Sequence, residues 1–320
     1  MKKPVVLALV GPTGSGKTKA AIYLSRAFDG EVVSMDSMQI YRGMDIGTAK
    51  PTKDELALAK HHMIDIADPD EVFTVSAYRE MAMECMEDII ARGKMPILAG
   101  GTGLYLNAIS YEMSLGENGA MHPIRDALNR IAQEENGPQI LHDRLKLIDP
   151  LTAKRLHPND IRRVIRALEV YETTGKPMSE MVDEGKVEGP YHVLVYGLSS
   201  PREMMYQRIN ERVDQMIRDG LIDEVKGLLA QGIEPRREGG AMQAIGYKEI
   251  VSALRDEISM ERAVDLIKQG SRRYAKRQWT WFRHDDRVKW FDFSSYDSVE
   301  SLYIALSDQI RRDILLYNQL

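Results

Sequence analysis

A glycine-rich segment near the amino terminus has the residue types and spacing that bind phosphate. Residues 11–18 read Gly-Pro-Thr-Gly-Ser-Gly-Lys-Thr and fit the pattern G-x-x-x-x-G-K-[ST] at every specified position. The apolar run Val5–Val10 precedes this segment, and the helix-forming stretch Lys19–Phe28 follows it. Because this strand–loop–helix context distinguishes a phosphate-binding loop from a glycine-rich turn, the sequence predicts a phosphate site without identifying the ligand as ATP.

Different residues of this loop would contribute to anion binding in different ways. Glycines at 11, 14 and 16 let the backbone bend so that several N–H groups point at one anion. Lys17 adds a positive charge, the Thr18 hydroxyl is suited to Mg²⁺, and the following helix offers its positive end. The predicted diphosphate-binding residues are Gly11, Pro12, Thr13, Gly14, Ser15, Gly16, Lys17 and Thr18, with Thr18 as the metal ligand.

A carboxylate follows the second predicted strand. Asp36 comes directly after the apolar run Glu31–Met35, and Ser37, Met38 and Gln39 follow it. A carboxylate beside a phosphate loop can orient water on Mg²⁺ or accept a proton from a nucleophile. The amide of Gln39 is suited to pairing with an adenine edge. A solvated turn with Asp36 as an N-cap is the alternative without function.

The third predicted strand, Met95–Ala99, is also followed by a turn whose residues could contact a ligand. Gly100 and Gly101 permit close approach of a ligand, and Thr102 offers a hydroxyl and a helix-terminal N–H. A purely geometric strand-to-helix turn explains the same glycines.

Two basic segments could contact nucleic-acid phosphates. Arg162, Arg163 and Arg166 share one face of a helix that is expected to start at Asn159 or Asp160. A solvated face paired with nearby acids is the alternative.

The second basic segment interleaves cations with aromatic residues. Six Lys or Arg and no Asp or Glu lie between Lys268 and His284. Such a stripe suits an RNA backbone and exposed bases, whereas core aromatics beside a solvated face would be the alternative. The stripe consists of Lys268, Arg272, Arg273, Lys276 and Arg277, with Tyr274, Trp279, Trp281 and Phe282 between them.

His61 and His62, with Asp65 nearby, could suggest a metal site. No further ligand is evident in the sequence, so both histidines are interpreted as structural.

The pattern around these residues predicts a P-loop NTPase-like α/β fold, a parallel sheet flanked by helices with a helical insertion. Near-continuous apolar strands alternate with helices, including Thr74–Arg92, as in a sheet covered on both faces. Ligands of such sheets bind beyond the carboxyl ends of the strands. Lys17, Asp36 and Thr102 all follow such ends and are therefore expected to converge.

The domain prediction separates a core from an insertion. Residues 1–114 and 191–320 form the α/β core, and 115–190 reads as a helical and polar insertion. Tyr191–Leu198 and Val288–Phe293 are predicted strands, and Ser298–Tyr317 is a closing helix. A capping box at Ser200, followed by proline in the first helical position, predicts another helix start.

Composition limits the class of protein. The 320 residues are 43% hydrophobic, enough for a sizeable core, and no run approaches the ~20 apolar residues of a membrane helix. A single cysteine, Cys85, indicates a reducing cytoplasm and a small buried residue. The formal net charge of −5 means that only local segments could attract nucleic acid.

Several stretches together resemble the tRNA dimethylallyltransferase family, also called tRNA isopentenyltransferases, in the bacterial form without a zinc-finger tail. They span nearly the whole chain, and the run from Tyr41 to Pro51 is far more specific than a phosphate loop alone. The matching stretches are Gly11–Thr18, Asp36–Pro51, His61–Asp65, Gly100–Tyr105, His157–Asp160, Arg166–Glu169, Ile245–Tyr247 and Ala275–Arg283.

The resemblance implies transfer of a dimethylallyl group from its diphosphate to N6 of adenine 37 in tRNA. The loop would then hold pyrophosphate with Mg²⁺, Asp36 would act as general base with Thr102 aligning the adenine, and Arg212 would be a further cation. It also implies a monomer. The tRNA-binding residues implied are Asp36, Ser37, Met38, Gln39, Thr102, Arg162, Arg163, Arg166, Gln243, Gly246, Lys248, Arg273 and Lys276.

Three other functions fit parts of the pattern. A phosphate-loop kinase shares the fold, the loop and Mg²⁺, with Asp36 deprotonating a hydroxyl. A prenyltransferase acting on free adenine nucleotides needs neither the insertion nor the basic stripe. A non-catalytic RNA-binding protein with a nucleotide switch does not require a carboxylate over the loop.

Overall fold

The computed structural model describes residues 2–112, 123–183, 187–235 and 240–319. Contacts divide the chain into two compact units. One comprises Met1–Ser110 with Gly189–Leu320, and the other comprises Tyr111–Glu188. None of the helices in the described ranges combines the length and apolar character that a membrane span requires.

The first unit is built on a parallel sheet. In the described residues six strands occur in the spatial order β3-β2-β4-β1-β5-β6, and every neighbouring pair is parallel. The predicted α/β fold is therefore confirmed. The strands are β1 (Val5–Val10), β2 (Gly30–Met35), β3 (His61–His62), β4 (Met95–Gly100), β5 (His192–Ser199) and β6 (Lys289–Asp292).

Helices precede and follow these strands. In chain order they are α1 (Lys17–Ala27), α2 (Lys53–Leu58), α3 (Val75–Ala91), α4 (Gly103–Ser110), α5 (Pro123–Ala132), α6 (Gly137–Ile148), α7 (Pro150–Arg155), α8 (Ile161–Thr174), α9 (Met178–Asp183), α10 (Arg202–Arg218), α11 (Leu221–Ala230), α12 (Tyr247–Leu254), α13 (Met260–Arg283) and α14 (Val299–Gln319).

Both faces of the sheet are buried, which explains why its central strands read as continuous apolar runs. Alternate residues of β1 point to opposite faces. Val6 and Ala8 pack with α3 and α4, and Leu7 and Leu9 pack with α1 and α14. Burial on both sides leaves the carboxyl edge as the place where polar groups can gather.

The register of the sheet brings three loops together at that edge. Val10 of β1 pairs with Gly100 of β4, and Gly100 also pairs with Met35 of β2. The residues that follow these strand ends are the phosphate loop, Asp36 and the turn before α4. The convergence expected from the sequence has this register as its physical cause.

The helices after β5 form a third apolar cluster that holds the segment following Asp36. Ile40 and Met44 of that segment are fully buried among side chains of α10, α11, α12 and α13. The segment is thus packed in a core although it contains no strand or helix of its own between Ser37 and Pro51.

The second unit is helical within its described residues. Helices α5 to α9 surround a separate core that includes Leu128, Leu145 and Leu168. An antiparallel bridge joins Tyr111 and Glu188, where the unit begins and ends. Part of the predicted insertion lies outside the described residues, and its role in tRNA binding stays a prediction.

The predicted capping box at Ser200 is wrong, because the helix starts later than predicted. Helix α10 begins at Arg202 with Pro201 as its N-cap, and no side-chain cap hydrogen bond forms. Ser200 lies directly beyond β5 and is buried, and its Oγ has no hydrogen-bond partner. Its hydroxyl therefore belongs to the strand end and does not cap the helix.

Helix α2 was not predicted. Its capping box is complete, because Thr52 Oγ accepts from the Glu55 N–H and Glu55 accepts from the Thr52 N–H. None of its residues is buried, so no apolar periodicity marks it. The Thr-x-x-Glu spacing was the only local signal.

Candidate active site

A cavity of about 450 Å³ lies at the carboxyl edge of the sheet, within the first unit. Its walls come from the phosphate loop, the Asp36 segment, and residues on or near α10, α12 and α13. The predicted site residues that line it are Thr13, Gly14, Gly16, Lys17, Thr18, Asp36, Ser37, Met38, Gln39, Arg212, Gln243 and Lys248. Residues predicted to bind phosphate, to transfer a proton and to contact RNA therefore line the same cavity.

The phosphate loop has the conformation that its glycines allow. Gly16 is the N-cap of α1 and adopts a left-handed conformation with φ +77°, which L side chains rarely adopt. No side chain caps this helix end. The first turn of α1 therefore directs its positive end toward the cavity that Lys17 and Thr18 line.

Lys17 stabilises the loop from within. Its Nζ donates hydrogen bonds to the carbonyl oxygens of Gly11 at 2.9 Å and Pro12 at 2.8 Å. Desolvation lowers the pKa of Lys17 from 10.5 to about 7, while the charge of Asp36 raises it and that of Arg212 lowers it. A bound phosphate would add negative charge and favour the protonated lysine.

Asp36 and Thr102 lie on adjacent loops and are joined through the backbone. Asp36 Oδ1 accepts from the Met38 N–H at 2.9 Å, and Thr102 Oγ1 accepts from the Ser37 N–H at 3.2 Å. The Thr102 N–H donates to the Met35 carbonyl at 3.1 Å. These bonds hold the carboxylate at the cavity wall, where it can accept a proton.

Arg212 brings a second positive charge to the cavity from α10. Its Nη2 donates to the carbonyl oxygen of Ala49 at 3.3 Å. Desolvation lowers the pKa of Arg212, and the charges of Asp36 and Glu55 oppose this effect. An arginine stays protonated in proteins, so this side chain can stabilise an anion in the cavity.

The Asp36 segment is held by two charged side chains, Glu224 and Lys50, that were not predicted as anchors. The Glu224 carboxylate accepts from the N–H groups of Asp45, Ile46 and Gly47 at 2.8–3.1 Å, and from the Tyr247 hydroxyl at 2.6 Å. Lys50 Nζ donates to the Tyr41 carbonyl and pairs with two carboxylates, with only 5% of its side chain exposed. No local pattern could identify Glu224, because its backbone partners lie nearly 180 residues away.

Gln39 lines the cavity, but its amide already has partners. Its Nε2 donates to the carbonyls of Thr48 at 3.4 Å and Ala49 at 3.2 Å, and its Oε1 accepts from Ser34 Oγ at 3.2 Å. Pairing with an adenine edge would require these bonds to be exchanged.

The segment before α12 contributes the other predicted RNA contacts. Lys248 Nζ donates to the Gln243 carbonyl at 3.0 Å, and both residues line the cavity. Gly246 is the N-cap of α12, and its N–H donates to Glu249 Oε2 at 2.8 Å.

The cations of the basic stripe have different surroundings on α13. Lys268 pairs with Asp214 at 2.6 Å, and Arg272 donates to Asn210 Oδ1 at 2.5 Å. Arg273 and Lys276 are exposed, whereas Arg277 lines the cavity with its guanidinium over the Tyr274 ring. The exposed members remain the candidates for RNA contact.

The interleaved aromatics also differ in their surroundings. Phe282 is fully buried in the core and Trp279 packs against Trp290, with ring centroids 4.9 Å apart. Trp281 is 44% exposed and is the aromatic of this stripe that a base could reach.

Helix α13 also places a tyrosine and a glutamine that were not predicted as site residues. Gln278 is buried, and the Tyr274 hydroxyl lies near the side chains of Thr102 and Gln278. Desolvation and the charge of Asp36 raise the pKa of Tyr274 to about 12. Their i, i+4 spacing was the available signal.

The second unit holds the remaining predicted arginines. Arg163 pairs with Asp160 at 3.3 Å, and Arg166 pairs at 2.8 Å with the buried Glu169, which also accepts from Arg125. Arg162 is exposed on the same helix, α8. Phosphate contact by these residues stays a prediction.

The two histidines contact protein groups. His62 Nε2 lies 2.7 Å from Glu31 Oε2, and His61 Nδ1 lies 2.8 Å from the Ala59 carbonyl oxygen. Among the described residues, no group of three or more His, Cys, Asp or Glu could hold a metal ion.

Comparisons with known proteins agree on one family. The family model for IPP transferase matches residues 39–285. The chain is 46% identical over 306 residues to the tRNA dimethylallyltransferase of Oceanobacillus iheyensis, covering 96% of each chain. It is 48% identical to that of Caldanaerobacter subterraneus, covering 93% of this chain and 94% of the relative.

Two solved structures are similar over almost the whole chain. The full-length tRNA isopentenylpyrophosphate transferase of Bacillus halodurans is 43% identical, with a TM-score of 0.74 and 99% of both chains covered. A eukaryotic dimethylallyltransferase acting on tRNA is 31% identical, with a TM-score of 0.83, 97% of this chain and 80% of the other being covered.

Proposed function

This chain belongs to the tRNA dimethylallyltransferase family, and on that premise we propose that it transfers a dimethylallyl group from dimethylallyl diphosphate to N6 of adenine 37 in tRNA, beside the anticodon. The family match confirms the resemblance inferred from the sequence, and the chain is a prenyltransferase of this family. The observation that carries the proposal is one cavity lined by the phosphate loop, Asp36 and Arg212.

The phosphate loop is proposed to bind the leaving group. When the allylic C–O bond breaks, negative charge develops on the diphosphate. Lys17, Arg212 and the first turn of α1 face the cavity from different elements and would stabilise that charge where it forms.

Mg²⁺ is the proposed metal. Thr18 lines the cavity and offers a hydroxyl oxygen, the ligand type that Mg²⁺ prefers, and Asp36 at the same cavity could orient water on the ion. One or two protein oxygens suffice for Mg²⁺ when substrate phosphates complete its shell, so these residues fit the ion. When bound, it would neutralise charge on the diphosphate oxygens.

Asp36 is proposed to accept the proton of the nucleophile. The lone pair of an adenine N6 amine is delocalised into the ring, so the amine attacks well only when it is aligned and can lose a proton. Asp36 would accept a hydrogen bond and then the proton, and Thr102 would hold the Asp36 segment and the adenine in line.

The RNA is proposed to meet this cavity with its target base extruded from the anticodon loop. Extrusion costs a few kcal/mol in a duplex and less in a loop. The proposed contacts are Ser37, Met38, Gln39, Gln243, Gly246 and Lys248 near the cavity, Arg273 and Lys276 on α13, and Arg162, Arg163 and Arg166 on α8.

The proposal is tested by identifying which atom of the RNA receives the dimethylallyl group. The protein is incubated with Mg²⁺, labelled dimethylallyl diphosphate and an unmodified anticodon stem-loop, and the RNA is digested for mass spectrometry. We expect the label on N6 of the adenosine at position 37, and no label in a stem-loop with guanosine there. Label on a free adenine nucleotide, or at another position of the RNA, would contradict the proposal.

A further inference from the structure

Gln278 of α13 joins the two loops between which the transfer would occur. Its Oε1 accepts from the Thr13 N–H of the phosphate loop at 2.8 Å, and its Nε2 donates to the Gly101 carbonyl at 3.1 Å. The side chain is only 5% exposed. A buried amide with both ends satisfied fixes the position of each partner more firmly than a solvated one, because breaking either bond leaves a buried polar group unpaired.

The connection continues to the carboxylate. Gln278 and Thr102 both lie near the Tyr274 hydroxyl, and Thr102 Oγ1 accepts from the Ser37 N–H at 3.2 Å. Asp36 in turn accepts from the next residue, Met38, at 2.9 Å. The hydrogen bonds of Gln278 and Thr102, linked by the peptide bond between Gly101 and Thr102, therefore connect the phosphate loop to the Asp36 segment.

The backbone at Gly101 is shaped for this amide. A Cβ at position 101 would lie 1.9 Å from Gln278 Nε2, so a larger residue would displace the glutamine. Gly101 directly precedes Thr102 and follows the end of β4. The close approach at this glycine thus serves the contact with α13.

We propose that Gln278 is a positioning residue for the transfer, which sets the separation of the diphosphate held by the phosphate loop and the adenine held by Asp36 and Thr102. The inference rests on the proposed function and extends it to a residue that need not touch either substrate. Displacement of reacting groups by about 1 Å can lower a rate roughly 100-fold, so the amide has a large effect through geometry alone.

The test compares Gln278→Met with Gln278→Glu. Methionine keeps the length of the side chain and removes both hydrogen bonds, whereas glutamate can still accept from the Thr13 N–H. Rates are measured in single turnover with saturating dimethylallyl diphosphate and stem-loop, and are divided by the number of sites that bind pyrophosphate with Mg²⁺. Gln269→Met, at an exposed position of the same helix, is the matched control.

We expect Gln278→Met to transfer roughly 100-fold more slowly per binding site, with dissociation constants for pyrophosphate and RNA within about threefold of the unchanged protein. Gln278→Glu should be intermediate and Gln269→Met unaffected. A rate per site within threefold of the unchanged protein for Gln278→Met would overturn the positioning role, because misfolding lowers the number of sites and not their rate. If the unchanged protein transfers no group at all, the proposed function fails, and this inference with it.

Discussion

Asp36 is the residue on which the proposed chemistry depends most. Its place could be predicted because it follows a buried strand, and parallel strand ends meet at one edge. The strand ends also placed Lys17 beside it, and the resemblance implied Arg212, but Tyr274 was not predicted because it comes from a distant helix. Gln278 was missed because its i, i+4 spacing from Tyr274 is a weak signal in a basic, aromatic segment until its partners Thr13 and Gly101 are known.

Replacement of Asp36 by asparagine should lower the transfer rate by about 10²–10⁴-fold, because the amide cannot accept the proton. The asparagine Oδ1 can still accept from the Met38 N–H, so the loop should keep its shape. Single-turnover rates and RNA dissociation constants check this, with Asp223→Asn on the exposed face of α11 as the control. A near-normal rate with normal RNA binding would remove Asp36 as the base.

Helix α13 carries exposed cations on one face and residues of the cavity on another. Ala275, Gln278 and Phe282 form its buried face, while Arg273 and Lys276 are exposed. The sequence predicted the helix and its basic face from spacing, and it also predicted five strands to within a residue or two, but not the short β3. It did not predict which cations would pair with neighbouring side chains, because Asp214 and Asn210 lie on a different helix, α10.

Removing two exposed cations should reveal their RNA contacts. In the variant Arg273→Ala with Lys276→Ala, the magnitude of the slope of log affinity against log salt should fall by about 1.4–1.8, since each phosphate contact contributes about 0.7–0.9. Arg311→Ala with Arg312→Ala removes the same charge from exposed positions of α14 and should leave the slope unchanged. An unchanged slope and affinity in the α13 variant would exclude these residues from the interface.

The start of β2 is anchored by a buried carboxylate whose stabilising effect depends on pH. Hydrogen bonds from Arg92 lower the pKa of Glu31 from 4.5 to about 2, helped by His62 and Lys60. A lowered pKa in the folded state stabilises the fold above pH 4.5 and loses this effect as the pH falls toward 2.

Glu31→Gln should therefore lower the free energy of unfolding by up to about 3 kcal/mol near neutral pH. The difference from the unchanged protein should shrink as the pH drops below 4.5. Urea unfolding of both proteins across this range checks the prediction. A difference that stays constant with pH would show that the carboxylate charge is not the cause.

For the whole molecule, the formal net charge of −5 makes general attraction to RNA weak, so binding must depend on local basic groups. The division into an α/β unit and a helical unit follows from a change in pattern that is visible in the sequence. What the sequence could not supply is the register that aligns Val10, Gly100 and Met35, because register depends on pairing between distant strands.

A paired assay on the purified protein with Mg²⁺ tests most directly whether it transfers a dimethylallyl group to RNA. One arm supplies labelled dimethylallyl diphosphate with an unmodified anticodon stem-loop, and the other supplies labelled ATP with the same RNA and a panel of nucleosides. We expect one pyrophosphate to be released for each dimethylallyl group transferred to adenine N6, and no phosphoryl transfer from ATP. Phosphoryl transfer without prenylation would contradict this expectation, because the phosphate loop would then serve ATP and Asp36 a hydroxyl.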